Sequence, residues 1–161
     1  MINLTKKLIN NFSLSEVVHW ADNTSMSSSD KELAKKMAIE ALTPQVESRA
    51  HAVATDLQKI RDWANKQFPE YKGKIRLTVT SWFRPKTWEL YRKRSGASQH
   101  IHGWAVDFIV SGIPGPDIQK VMAAIFKDLE NWPGGLARKM SGSTFIFIHI
   151  DKRQKRARWT Y

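Results

Sequence analysis

Residues 98–107 read SQHIHGWAVD. This stretch contains three side chains that can bind a metal ion, and it runs into a predicted buried strand. His100 and His102 precede a glycine, and Asp107 lies within an apolar run. Alternate side chains of a strand share a face, so Asp107 points to the same side as the small Ala105. A carboxylate in an apolar strand is destabilising unless it is paired or coordinates a metal. The pattern therefore predicts a partner for Asp107.

A second strand pattern, FIFIHID at residues 145–151, offers a further ligand. His149 and Asp151 share one face of this strand, and isoleucines occupy the other. A lone histidine in such a strand is more often a core residue than a ligand. Three candidate ligands on predicted strand faces, His100, Asp107 and His149, nevertheless favour a metal site. Three protein ligands with an open fourth position are typical of catalytic zinc.

The composition is that of one globular domain, over residues 1–161. Hydrophobic residues make up 42% of the chain and charged residues 25%, and no repeat or low-complexity tract divides it. There is no cysteine, so a transition metal must be bound by histidine and carboxylate. The formal charge of +11 indicates anionic partners, either nucleic acid or anionic cell-wall polymers.

Helices are predicted mainly in the first half of the chain and strands in the second. Capping residues and helical spacing predict a short helix from Ser13 or Ser15, and helices at residues 31–42, 46–68 (after an interruption at Pro44) and 116–132. Alternating, β-branched stretches predict strands at residues 75–83, 104–110, 144–150 and 156–161. Residues 23–30, rich in serine and asparagine, predict a loop. This order predicts an α+β fold.

The pattern SxHxxGxAxD at residues 98–107, followed by FxHxD at residues 147–151, resembles the zinc-binding pattern of the D-Ala-D-Ala carboxypeptidase group of peptidoglycan metallopeptidases. That group includes D-Ala-D-Ala dipeptidases and phage L-alanyl-D-glutamate endolysins, and it shares its core fold with hedgehog signalling domains. The resemblance extends over residues 11–159. It implies N-terminal helices packed on a small, mainly antiparallel sheet that carries the zinc site.

The resemblance also implies roles for individual residues. His100, Asp107 and His149 are the expected ligands of Zn²⁺. Arg84, within TSWFRP at residues 80–85, is expected to bind the substrate carboxylate or the developing oxyanion. Residues 134–137 (GGLA) resemble the glycine turn before the last ligand strand.

This chain departs from the family pattern at the position of the general base. Several branches of the family carry an acidic base three positions before the final histidine, where this chain has Ile146. Strand alternation places Ile146 on the face opposite His149. Asp151, about 7 Å along the strand from His149, and His102 are the remaining candidates for the base. His102 is also a rival ligand to His100, although the family's seven-residue step to the carboxylate ligand favours His100.

The leading hypothesis is a zinc peptidase that cleaves peptide bonds in peptidoglycan stem peptides, as a D-Ala-D-Ala carboxypeptidase or an endolysin. The first twelve residues lack the apolar core of a secretory signal. We therefore expect cytoplasmic synthesis, with action on the cell wall after phage-type lysis or from a virion. The alternative is a metal-containing wall-binding or virion structural module that has lost hydrolysis. A nucleic-acid site is least favoured, because no recognised binding module is present. We expect a monomer without a membrane span.

Overall fold

A computed structural model describes residues 3–18 and 26–161 of the chain, so the first part of the predicted loop, residues 23–25, lies outside the described residues. Within them the chain forms an α+β fold of five α-helices, a mixed five-stranded sheet and a two-stranded antiparallel sheet. The helices are α1 (Leu14–Val17), α2 (Ser28–Glu40), α3 (Pro44–Gln67), α4 (Lys86–Tyr91) and α5 (Gly115–Asp128). The strands are β1 (Lys7–Ile9), β2 (Phe12–Ser13), β3 (Arg76–Ser81), β4 (Ala105–Ser111), β5 (Gly135–Ser141), β6 (Thr144–Asp151) and β7 (Ala157–Thr160).

The larger sheet has the strand order β3-β4-β6-β5-β7. The pairs β3/β4, β4/β6 and β6/β5 are antiparallel, and β7 joins the edge parallel to β5. The α+β expectation is thus confirmed, with a sheet that is mixed and mainly antiparallel. The two strands that carry predicted metal ligands, β4 and β6, are neighbours in the middle of this sheet.

One face of the sheet forms the hydrophobic core together with α3 and α5. Core residues on this face of the strands are Leu77, Val79, Val106, Phe108, Val110, Leu136, Ile148 and Ile150. The predicted apolar stripe of α3 is buried against them at Ala50, Val53, Leu57, Ile60 and Ala64. Because successive residues of a strand point to opposite faces, this packing leaves the other face of β4 and β6 for polar groups.

The helices begin where capping groups satisfy their first backbone amides. Ser13 caps α1, and its backbone N–H donates to Glu16 Oε2 at 2.8 Å. The predicted interruption at Pro44 is instead the start of α3, where a proline has no hydrogen bond to lose. Thr43 Oγ1 accepts a hydrogen bond from the Val46 amide at 3.3 Å and completes this cap.

Two elements of the second half were not expected from the sequence. The short helix α4 was not predicted, and of the glycine turn implied for residues 134–137 only Gly134 lies in a bend, whereas residues 135–137 are the start of β5. Gly135 is required there by a close approach between strands, since a Cβ on it would overlap the carboxylate of Asp151 on β6. No helix among the described residues is both long and apolar enough to cross a membrane.

We predict that the core formed by α3 and the sheet determines stability. Leu57 is completely buried in α3, whereas Leu90 of α4 is 54% exposed. Replacing Leu57 by alanine removes buried methyl groups and leaves a cavity, so Leu57→Ala should lower the free energy of unfolding by about 2–5 kcal/mol. Leu90→Ala, the same chemical change at an exposed site, should have a much smaller effect. Denaturant titration of both variants tests this, and equal losses would contradict it.

Candidate metal centre

Two of the predicted ligands, Asp107 and His149, face each other across the pair β4/β6. They are direct register partners, and both side chains are buried. His149 Nδ1 lies 2.7 Å from Asp107 Oδ1. The neighbouring positions on this face are Ala105, Ala137 and Gly135, whose small size leaves space around the two polar groups. The sequence prediction of a polar partner for Asp107 is therefore confirmed.

The third predicted ligand, His100, lies on a short 3-10 turn, Gln99–His102, and not on a strand face as expected. The turn is capped by Ser98 and ends at Gly103, which adopts the left-handed conformation with a φ of 74°. His100 Nδ1 donates to the Trp82 carbonyl oxygen at 2.6 Å. Since a carbonyl can only accept, the proton is on Nδ1 and the lone pair of the neutral ring is on Nε2.

The lone pair of His100 is directed at the other two side chains. Nε2 is 3.5 Å from Asp107 Oδ1, and it is buried with no hydrogen-bond partner among the described residues. An orphaned buried acceptor of this kind is unfavourable unless something binds it. The ligand atoms of His100, Asp107 and His149 all lie within 4.8 Å of one another. Ligands of one tetrahedral zinc ion lie about 3.3 Å apart, so this group fits a metal ion with little rearrangement.

Asp151 lies behind His149 and orients its ring. Asp151 Oδ2 accepts from His149 Nε2 at 3.1 Å, which leaves His149 Nδ1 to face the metal position. The Asp151 carboxylate is completely buried, and it also accepts from the Gly135 amide at 2.9 Å and from the Arg153 guanidinium at 2.6 Å. It does not line the cavity described below. Its contacts favour a role in positioning His149 over the role of general base expected from the sequence.

The protonation states follow from burial and from these hydrogen bonds. Burial lowers the pKa of His100, which favours the neutral ring that a metal requires. Burial alone would raise the pKa of Asp107, but the two histidines outweigh it and hold that pKa below its usual range. Burial likewise opposes the charged form of His149, yet hydrogen bonds to Asp107 and Asp151 raise its pKa. Without metal, His149 is therefore the proton-binding member of the group.

His102 is not part of this group, although it lies on the same turn as His100. Its side chain is exposed, it does not line the cavity, and its backbone carbonyl accepts from Arg49 Nη1 at 3.4 Å. The structure thus brings together His100, and not its rival His102, with the other two ligands. The expectation of His102 as general base has no support from its position.

A cavity of about 460 Å³ opens beside Asp107. Arg84, for which the resemblance implies a role in binding the substrate carboxylate or the oxyanion, is one of the residues that line it. Arg84 Nη1 lies 3.0 Å from Ser81 Oγ and 3.9 Å from Asp107 Oδ2, and its Nε lies 3.0 Å from Glu89 Oε1. These contacts hold the guanidinium in one place, at the edge of the metal group.

Glu89 is a residue of the site that the sequence analysis missed. Its side chain is buried under Arg84, and Glu89 Oε1 also accepts from Arg94 Nη1 at 2.9 Å. One carboxylate therefore positions two guanidiniums that line the cavity. The sequence carries only a weak signal for it, because Glu89 lies in the largely polar stretch KTWELYRKR at residues 86–94, where a carboxylate is normally solvated.

Ile146 faces the cavity, which corrects the orientation predicted from strand alternation. Lys139 of β5 pairs with Phe147, but the next pair is Met140 with Phe145, so Ile146 is the extra residue of a β-bulge. A bulge interrupts alternation and redirects a side chain. Ile146 is 43% exposed, and it lines the cavity together with its neighbour Phe147.

Comparison of the chain with protein-family models, curated proteins and solved structures finds no match.

We predict that Asp151 tunes metal affinity through His149. Asp151→Asn keeps the shape of the side chain but replaces a carboxylate that accepts from His149 Nε2. Loss of such an outer partner typically weakens metal binding about 10- to 100-fold. Competition with a chromophoric chelator measures the affinity, and His102→Ala is the control that should bind as the wild type does. Equal affinity of Asp151→Asn and wild type would contradict the assignment.

We also predict a defined pH dependence of metal binding. His149 must lose its Nδ1 proton to bind a metal, and its pKa is raised above the usual value of about 6.5 by the two carboxylates. The affinity for Zn²⁺ should therefore begin to fall at a pH above 6.5, and then by about tenfold per pH unit. Calorimetric titrations between pH 8 and pH 5.5 measure this. A constant affinity down to pH 6 would show that His149 is not a ligand.

Proposed function

We propose that this chain is a zinc metallopeptidase that hydrolyses a peptide bond in peptidoglycan stem peptides. One observation carries the proposal: the buried group His100, Asp107 and His149 meets a cavity in which Arg84 holds a fixed positive charge. A metal that activates a carbonyl, next to a guanidinium that binds a carboxylate, is what hydrolysis near the carboxyl end of a peptide requires. The motifs at residues 98–107 and 147–151 support the same assignment by resemblance.

The donor set supports zinc as the metal. It consists of two imidazole nitrogens and one carboxylate, and the chain has no cysteine. A bound zinc ion supplies a Lewis acid for the scissile carbonyl and a water whose pKa falls to about 7. The protein's own part is to hold the ligands: the Trp82 carbonyl fixes the tautomer of His100, and Asp151 fixes the ring of His149.

Arg84 binds the substrate carboxylate in this proposal. Its Nη1 atom is hydrogen-bonded to Ser81 Oγ, and its Nε lies 3.0 Å from Glu89 Oε1 in an ion pair without hydrogen-bond geometry, so Nε is buried with no hydrogen-bond partner among the described residues. A guanidinium fixed in this way loses little conformational entropy when a carboxylate binds. The substrate class follows from this charge: a stem peptide whose terminal carboxylate, such as that of D-Ala, lies beside the metal. The net charge of +11 supports approach to anionic wall polymers, with action on the wall after lysis or from a virion.

A second candidate function is a metal-containing module that binds the wall without cutting it. It is favoured by the apolar side chain of Ile146 in the cavity. Among the described residues, Asp107 is the only Asp or Glu whose side chain lines this cavity, and it belongs to the metal group. Proton transfer from the attacking water therefore has no dedicated acceptor at the place where Ile146 lies.

The test is product analysis of purified peptidoglycan treated with the zinc-loaded protein. We expect new amino or D-Ala termini with the zinc-loaded wild type, loss of this activity on chelation, and its return with added zinc. Asp107→Ala and His149→Ala remove one ligand each and should reduce cleavage to the level of the metal-free protein. His102→Ala is the matched control, because it removes a nearby histidine outside the metal group.

The outcome separates the two candidate functions. Cleavage that depends on zinc and on both ligands supports the peptidase, and the new termini identify the bond. Tight zinc binding and sedimentation of the protein with peptidoglycan, without any new termini, would reject the peptidase in favour of the binding module.

A further inference from the structure

Positive charges line the cavity on both sides of the metal group. The first set, here called the arginine wall, consists of Arg84, which precedes α4, and Arg92 and Arg94, which follow it. The second is Lys139, on β5. Four cationic side chains thus line a cavity in which Asp107, a metal ligand in our proposal, is the only Asp or Glu side chain among the described lining residues.

The sheet topology places these charges on opposite sides of the metal group. Asp107 and His149 lie on the central strands β4 and β6, the arginine wall follows β3, and Lys139 lies on β5. Neighbouring strands are about 4.8 Å apart, so β3 and β5 are separated by about 14 Å. An extended peptide of about four residues spans this distance.

Lys139 occupies this position because of strand register. It is two residues after Ala137, the register partner of His149, so both side chains of β5 point to the face of the metal group. The partner of Lys139 is Phe147, which also lines the cavity. Lys139 forms no ion pair with any described residue, so its charge is available to a ligand.

The arginine wall is preorganised, unlike Lys139. Glu89 holds both Arg84 and Arg94 through a single buried oxygen, Oε1, and Arg92 Nη1 lies 3.4 Å from Asp30 Oδ2. Two guanidiniums share one carboxylate at Glu89, which leaves a net positive charge on this wall. A metal ion in the group between the walls would increase the positive potential further.

We propose that the substrate is a peptide with two anionic groups, one on each side of the scissile bond. The arginine wall binds the first carboxylate, and Lys139 binds the second. This inference rests on the proposed peptidase function and adds a requirement on its substrate: the acidic residue on the Lys139 side must keep its carboxylate free, because an amidated residue offers Lys139 no charge. Lys139 is thus a residue that determines specificity.

The experiment compares two synthetic stem peptides that contain the cleaved bond. They have the same sequence and a free terminal carboxylate, and the acidic residue on the other side of the bond is either free or amidated. With the zinc-loaded wild type, we expect a KM about fivefold lower for the free carboxylate, the size of an exposed ion pair. Since exposed charges are screened by salt, the difference should shrink between 50 mM and 500 mM NaCl.

Variants assign this preference to Lys139. Lys139→Met keeps a long apolar side chain without the charge and should give both peptides the same KM. Lys139→Arg should retain the preference. Lys127→Met, a change outside the cavity lining, is the matched control and should behave as the wild type does.

A binding measurement separates failure of the inference from failure of the proposed function. Tryptophan fluorescence of the metal-depleted protein, titrated with each peptide, reports recognition without hydrolysis. Cleavage of both peptides with equal KM overturns the inference and leaves the peptidase. No cleavage but tighter binding of the free carboxylate, dependent on Lys139, overturns the peptidase and supports recognition of the two charges. Neither cleavage nor a binding preference overturns both.

Discussion

Asp107 and His149 lie directly opposite each other on the central strands of the sheet, and the rest of the site is arranged around this buried pair. Burial of an uncompensated charge or polar group is unfavourable by several kcal/mol, so each partner requires the other. The second ring nitrogen of His149 also needs a hydrogen-bond acceptor, and this acceptor lies further along β6. Asp151 provides it, and Arg153 in turn neutralises Asp151. The close approach of Asp151 is also the reason why Gly135 cannot carry a side chain.

One histidine nitrogen of the metal group lacks a hydrogen-bond partner among the described residues. His100 Nε2 is buried without a hydrogen-bond partner among the described residues and lies 3.5 Å from Asp107 Oδ1, whereas both ring nitrogens of His149 have partners. Since the Trp82 carbonyl already fixes the other nitrogen of the ring, His100 cannot turn to relieve this without breaking a 2.6 Å hydrogen bond. The fold thus maintains an acceptor for a ligand in a place that water reaches poorly. That is the physical argument for a metal site, and it does not depend on any resemblance.

The sequence predicts Asp107 and His149 as candidate ligands because a buried strand restricts what a carboxylate or a histidine can do. Asp107 and His149 each interrupt a run of apolar residues, and this signal is local. His100 is favoured over His102 only by the resemblance, because its seven-residue step to Asp107 matches the family pattern. Its setting, a 3-10 turn, is not predicted, because two histidines within three residues fit several conformations. Glu89 was missed because its neighbours in the sequence are largely polar, so nothing local indicates that this carboxylate is buried. The strand β5 was not predicted for another reason, because two consecutive glycines are typical of a turn. Gly135 is instead required by its close contact with Asp151, which lies sixteen residues later on β6.

The β-bulges in β3 and β6 could not be predicted from strand alternation, and they determine which side chains line the cavity. Thr80 is skipped between the pairs of Val79 and Ser81, just as Ile146 is skipped on β6, and in both strands two consecutive residues line the cavity as a result. On β6 the extra residue is apolar. An apolar side chain there accepts no proton, which weakens the case for hydrolysis. It also lowers the local dielectric, which strengthens the attraction between a bound carboxylate and the cationic groups around it. The same residue therefore opposes one step of the proposed reaction and favours the binding of an anionic ligand.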